Sequence, residues 1–179
     1  MRKVVRKWFF AWDYDKEEKW LNEMAAKGLG LVAVSFCRYE FEECEPGEYK
    51  YRLEMLEYDR SHPETQQYIA FLEETGVDHL GFFSKWSYFR RKASDGEFDI
   101  FSDFDSKIKH LKRIQVLLFL IGISNLWVGI QNLYFLFAHN FEWNAIGFVN
   151  IFLSLLLMYG VYRIEKKKKK LKKDRQIFE

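Results

Sequence analysis

Asp13 and Asp15 stand two positions apart in Trp12-Asp13-Tyr14-Asp15, the densest run of carboxylates and aromatics in the 179-residue chain. Carboxylates so paired can share the work of general acid and base, or hold a cation between hard oxygens. The same residues suit the start of a helix, where Asp15 caps and Asp13 meets the positive end of the helix dipole. That structural role is the expected one. Trp12, Asp13 and Trp86 are the candidate partner-binding residues. The wider aromatic set of Trp8, Phe10, Trp12, Trp86, Tyr88 and Phe89 could line a ligand groove, although packing is the usual task of such side chains.

Other chemistry is poorly supplied. His62, His79, His110 and His139 share no metal-ligand spacing with Cys37 and Cys44, so no metal site is expected. The two cysteines are expected to be reduced thiols. There is no Gly-rich phosphate loop, nucleophile elbow or Ser-His-Asp or Cys-His pattern. The sequence therefore leads to the expectation of no enzyme and no cofactor.

The elements that would position these residues alternate in type. Arg2 to Trp12, rich in Val, Trp and Phe, predicts a strand. A helix follows, with Asp15 and Glu18 at capping-box spacing, an apolar stripe of Trp20, Leu21, Met24 and Ala25, and Gly28 as its stop; Glu17, Lys19, Glu23 and Lys27 fall mostly off the stripe. Leu29 to Glu43 and Glu48 to Tyr58 predict two strands joined around Pro46-Gly47. Matching charges across them sets residue pairs such as Phe41 with Tyr51 and Glu40 with Arg52. Ser61 to Glu64 opens a second helix that Gly76 ends, Val77 to Lys92 predicts a long strand, and Asp95-Gly96 predicts a hairpin to Glu97–Phe101. The order implies an α+β domain over residues 1–105, a ferredoxin-like plait (βαββαβ) with one short extra strand.

Residues 106–179 are of another kind. No Asp, Glu, Lys or Arg interrupts Ile114 to Phe137 or Trp143 to Tyr162, runs of 24 and 20 residues. About 20 apolar helical residues span a hydrocarbon core, so a two-helix transmembrane hairpin is expected over about 114–137 and 143–162. Lys107, Lys109, Lys112 and Arg113 precede the first arm; Arg163, Lys166 to Lys170, Lys172, Lys173 and Arg175 follow the second. The connecting turn carries no Lys or Arg, which places the N- and C-termini on the cytoplasmic side of the cell membrane. Asn125, Gly129 and Asn132 on one arm, with Gly147, Asn150 and Ser154 on the other, form small and polar stripes suited to helix packing. Folding the arms about Phe141 sets Asn132 opposite Asn150 and Gly129 near Ser154.

Charge divides along the same boundary. Residues 1–105 hold 15 Lys and Arg against 22 Asp and Glu, and residues 106–179 hold 13 against 4. The basic excess belongs beside anionic lipid. An acidic first domain argues against direct nucleic-acid binding. Met1 to Lys7 is basic but no apolar h-region follows, so a signal peptide is not expected.

From Lys7-Trp8-Phe9-Phe10-Ala11-Trp12-Asp13-Tyr14 through Trp20-Leu21-Asn22-Glu23-Met24 to Gly28, and again at Pro46-Gly47-Glu48-Tyr49, Tyr51-Arg52-Leu53-Glu54 and Ser84-Lys85-Trp86-Ser87-Tyr88-Phe89-Arg90-Arg91-Lys92, the chain resembles the bacterial domain of unknown function 2812 family. Members of that family often lie beside a PadR-type transcriptional repressor. The resemblance implies a regulatory link to such a protein partner and supplies no catalytic residues. Two functions are expected from these features: a membrane-anchored cytoplasmic binding or regulatory module, or a structural or accessory subunit of a larger membrane protein complex.

Overall fold

The computed structural model describes residues 2–101, 103–139 and 146–178. It divides into two compact units, Met1–Asp103 and Phe104–Glu179.

In the first unit the chain runs β1 (Lys3–Arg6), α1 (Tyr14–Ala26), β2 (Leu29–Ser35), β3 (Arg38–Glu43), β4 (Tyr49–Met55), α2 (Pro63–Glu74), β5 (Asp78–Phe83) and β6 (Trp86–Lys92), with single 3-10 turns at Ala11–Asp13 and Ala93–Asp95. The strands form two three-stranded antiparallel sheets, ordered β1-β3-β2 and β4-β6-β5. Each sheet is thus a split βαβ unit, its third strand inserted between the first two. The unit is one motif, βαββ, used twice.

The duplication extends to side chains and irregularities. In α1 the buried stripe is Glu17, Leu21, Met24 and Ala25; in α2 it is Thr65, Ile69 and Leu72, so the first three positions recur 48 residues later. Phe41 and Phe89, also 48 apart, are both fully buried on the central strands. A register shift falls between Leu31 and Ala33 in one sheet and between His79 and Gly81 in the other. Both helices are followed by a glycine with left-handed φ, Gly28 at 78° and Gly76 at 83°, a conformation that residues with a Cβ adopt at a cost. β2 and β5, the same strand of each half, lie against one another.

Several expected elements change shape. The long strands expected over Leu29–Glu43 and Val77–Lys92 are each a hairpin, turning at Phe36-Cys37 and at Ser84-Lys85. Neither turn carries Gly, Asn or Asp, yet Cys37 and Ser84 take φ of 53° and 56°, so the usual turn signal is missing. β3 and β4 do not pair: β1 and β2 occupy both edges of β3, while β4 pairs with β6. Phe41 faces Lys3 and Leu31, which overturns the expected Phe41–Tyr51 register. The sheets are accordingly two, where a ferredoxin-like plait has one of four strands. Glu97–Phe101 forms no strand; Phe98 is instead buried with Ile69, Leu72, Val77 and Phe89.

The other edge of β4 is closed by α1. Asn22 Oδ1 accepts from the Tyr51 N–H at 2.9 Å while its Nδ2 donates to the Tyr51 carbonyl at 3.1 Å, and Glu18 Oε2 accepts from the Leu53 N–H at 3.1 Å. A side-chain amide here does what a neighbouring strand would do, which removes an exposed edge. Across the unit, the Leu31 N–H beside the first register shift donates to the buried Tyr51 hydroxyl at 2.8 Å. Leu21, Met24, Leu31, Tyr39, Phe41, Tyr51, Leu53 and Tyr88, drawn from both halves, make the main core. Each such side chain contributes about 1.5–3 kcal/mol by leaving water.

The second unit pairs α3 (Phe104–His139) with α4 (Ile146–Phe178). Both helices are long and apolar enough to cross a membrane. The predicted turn lies largely outside the described residues. Gln115 and Glu165 share a clasp: Gln115 Nε2 donates to Glu165 Oε2 at 3.0 Å, and Lys168 Nζ donates to Gln115 Oε1 at 2.7 Å and Glu165 at 2.9 Å. Arg175 reaches Asp105 at 2.7 Å. The basic flanks before α3's apolar run and after α4's therefore share one end of the pair.

Candidate functional site

The start of α1 gathers the residues singled out from sequence. Trp12 is buried and stacks on Phe10, ring centroids 4.5 Å apart and nearly parallel. Asp13 stands at the N-cap position of α1 without capping through its side chain; its Oδ1 takes an ion pair from Lys16 Nζ at 3.0 Å. Trp86, at the start of β6, is half-buried and stacks on Tyr14 at 5.5 Å. Burial, with the Asp15 and Glu18 charges behind it, pushes the Tyr14 hydroxyl far above its ordinary pKa. Trp12, Asp13 and Trp86 thus lie on elements that surround one helix start, with the Trp12 indole turned into the protein.

Behind them lies a group that sequence reasoning set aside. Glu17 is buried, and its Oε1 accepts from the Tyr39 hydroxyl and the Tyr88 hydroxyl, each at 2.7 Å. Tyr39 belongs to β3 and Tyr88 to β6, so one carboxylate oxygen on α1 ties together the central strands of both sheets. Burial raises the Glu17 pKa above its ordinary 4.5, and the two hydroxyl donors oppose that rise. Burial and the Glu17 charge push both tyrosines far above their usual range. The cluster is a fixed set of two donors and an acceptor. The available signal was spacing: Glu17, Leu21, Met24 and Ala25 fall at i, i+4, i+7 and i+8.

Among the described residues of the α/β unit, two surfaces stand out. A depression of about 420 Å³ is lined by Glu57, Tyr58, Asp59, Ser61, His62, Pro63 and Lys85. His62 in its lining stacks on Tyr58 at 4.1 Å, while its Nδ1 accepts from the Glu64 N–H at 3.3 Å, capping α2. Elsewhere Trp8 packs edge-on against both Phe10 and Phe36, and all three rings are exposed. Among the described residues, no three of His, Cys, Asp and Glu are grouped to hold a metal.

Along the helix pair, small residues mark the closest approach. A methyl on Gly147 would stand 2.9 Å from the Gly129 carbonyl oxygen and 3.0 Å from the Asn132 Cβ; one on Gly122 would stand 3.0 Å from Met158 and 3.8 Å from the Ser154 carbonyl oxygen. Ser154 is buried. Gly129 therefore meets Gly147 and Ile151, about one helical turn from the expected neighbour Ser154. The Asn132 Cβ stands over Gly147, and its amide donates to the Val128 carbonyl of its own helix at 2.8 Å, as that of Asn125 does to Ile121. Register follows from where two glycines let backbones meet, and the asparagines satisfy themselves locally.

A family model described as "Protein of unknown function (DUF2812)" matches residues 13–123. The chain belongs to this family. The DUF2812 match begins at Asp13, takes in α1, every strand from β2 to β6 and the Glu17–Tyr39–Tyr88 cluster, leaves out β1, and ends inside the apolar part of α3. Trp8 and Phe10 lie outside it. No curated protein and no solved structure matches the chain.

Proposed function

We propose that this DUF2812 chain is a membrane-anchored cytoplasmic module with a regulatory, non-enzymatic role, whose α/β unit holds a basic surface of a partner protein at the inner face of the membrane. The observation that carries this reading is the polar and aromatic depression flanked by Glu57 and Asp59, on a unit with an acidic excess and in a chain with two membrane-length helices. An acidic face repels nucleic acid and attracts the kind of basic surface that nucleic-acid-binding proteins carry. The PadR-type repressor implied by the family resemblance is such a protein. In this reading both termini are cytoplasmic and the bilayer is a permanent partner.

The test is capture of the purified repressor by the full chain in lipid nanodiscs. Binding should weaken with added salt and with Glu57→Lys plus Asp59→Lys. Absence of capture, or capture indifferent to both changes, would refute the partner.

A second reading, an accessory subunit of a larger membrane complex, is favoured by Ser124, Asn125 and Gln131, polar residues at outward or half-outward positions of α3. Polar groups at membrane depth more often face protein or water than lipid. Retention of a membrane partner after Glu57 and Asp59 are reversed, and its loss on Asn125→Leu with Gln131→Leu, would select this alternative.

A further inference from the structure

The exposed rings of Trp8, Phe10 and Phe36 are not accounted for by the depression beside α2. Trp8 is 56% exposed and Phe36 68%, although each touches another ring: Trp8 lies 5.8 Å from Phe10 and 5.5 Å from Phe36, and Phe36 lies 6.2 Å from Phe83. Contiguous exposed aromatics on a folded unit mark an interaction surface more often than isolated ones do. The cluster is also held in place. The Lys7 N–H donates to the Cys37 carbonyl at 3.1 Å, which pins the segment before Trp8 to the β2–β3 turn that carries Phe36. Phe83 brings in the equivalent β5–β6 turn of the second half. The patch is therefore made where the two like turns of the duplicated unit come together.

Charge decides what kind of surface it meets. The unit as a whole is acidic, but the segments that build this corner are not. Residues 1–12 contain Arg2, Lys3, Arg6 and Lys7 and no Asp or Glu, the β2–β3 turn is followed by Arg38, and the β5–β6 turn contains Lys85. Arg6 and Arg38 stand opposite one another in the sheet register. Rings that include tryptophan, rimmed by Lys and Arg, match the chemistry of the bilayer interface: indole and phenyl groups settle at headgroup level and cations pair with anionic lipid. The same chain carries membrane-length helices from Phe104 onward. A tethered surface of this kind meets lipid at high effective concentration and needs little intrinsic affinity.

We infer that the Trp8–Phe10–Phe36 patch with Arg6, Arg38 and Lys85 docks the α/β unit onto the headgroup layer of an anionic bilayer. This rests on the membrane-anchored reading, and the experiment separates the two. The full chain, labelled throughout with 5-fluorotryptophan, is placed in nanodiscs, and its fluorine resonances are assigned by single Trp→Phe variants. Nitroxide lipids are then added, with the label on the headgroup or deep in the acyl chain. Trp127, 65% exposed on the apolar part of α3, reports anchoring: its resonance should be lost with the acyl-chain label. Trp8 reports docking: its resonance should be lost with the headgroup label in discs containing phosphatidylglycerol, and return in purely zwitterionic discs and in Arg6→Glu with Arg38→Glu, a variant that keeps every ring and leaves the lining of the depression beside α2 untouched. Trp20, on the core side of α1, should stay sharp throughout. If Trp127 stays sharp, anchoring fails and the proposal falls with it. If Trp127 is lost while Trp8 stays sharp and is relaxed by a soluble gadolinium chelate, docking alone is overturned and the patch is left for a protein. Loss of Trp8 that persists in zwitterionic discs and in the charge-reversed variant would remove the anionic lipid and overturn the inference as stated.

Discussion

At the centre of the α/β unit two tyrosine hydroxyls converge on one oxygen of Glu17, and the balance of forces there is testable by titration. Burial raises the carboxyl pKa above 4.5 and outweighs the lowering by the two hydroxyls. A folded-state pKa above the unfolded one means stability that is fully present below the ordinary carboxylate range and lost as pH rises through the raised value. In Glu17→Gln the side-chain oxygen can still accept both hydroxyls and does not titrate. The stability of Glu17→Gln relative to wild type should therefore increase as pH rises from the ordinary 4.5. Urea midpoints across a pH series, read by near-UV circular dichroism in micelles, would show it; a difference that shrinks with pH would mean that the hydroxyls dominate. Glu17→Ala should instead destabilise the unit by about 2–4 kcal/mol, because two buried donors lose their acceptor. Sequence reading looked to the conspicuous Trp12-Asp13-Tyr14-Asp15 run and set Glu17 aside with the solvent-facing charges of α1. Identity outweighed position there. A carboxylate on a helix is nearly always exposed, and nothing local announces tyrosines arriving from residues 39 and 88.

Between residues and fold, the elements show what propensity conveys and what it does not. Both helices of the α/β unit and their glycine stops were legible, because apolar spacing and a left-handed C′ position are local properties. The two hairpins were not: Phe36-Cys37 and Ser84-Lys85 lack the Gly, Asn or Asp of a two-residue hairpin turn, and β-propensity runs on around both. The pairing of β4 was hidden for a related reason, since Asn22 closes its free edge from a helix. Asn22→Ala should cost about 1–2 kcal/mol in chemical denaturation of the full chain, two hydrogen bonds at roughly 1 kcal/mol each less a few tenths regained from helix propensity. A neutral result would mean that water replaces the amide at the strand edge. In the helix pair, register was not readable, because it depends on where two glycines coincide. Gly147→Leu would drive a side chain toward the Gly129 carbonyl, only 2.9 Å from a Cβ at that position, a backbone atom that cannot rotate away as the Leu133 side chain at 3.0 Å can. Overpacking of this kind costs about 1–3 kcal/mol. Steric trapping of the pair in micelles should register that loss, while Gly96→Ala, at a position with nothing within 4 Å, should leave helix association unchanged.

For the molecule as a whole, charge asymmetry and apolar runs set the expected boundary at residue 105, and the first compact unit ends at Asp103. The proposed orientation, with the basic end of the helix pair on the cytoplasmic side, is open to direct test. A cysteine introduced at Asn140 should react with an impermeant maleimide on intact cells, and one at Lys168 only after lysis; the opposite pattern would invert the topology. What remained hidden was the repeat, because its two copies share only spaced positions such as Leu21 and Ile69, Gly28 and Gly76, and Phe41 and Phe89. That architecture bears on how the chain can be cut. Among the described residues, every backbone ladder of the first unit closes within one copy, and a single covalent crossing, from Glu43 to Tyr49, joins the copies. What holds them side by side is noncovalent: α1 laid along β4, and one carboxylate gripping a tyrosine from each sheet. Two polypeptides divided at Pro46-Gly47 and co-expressed should accordingly find one another and rebuild the unit, and Glu17→Ala should weaken that reunion far more than Glu57→Ala.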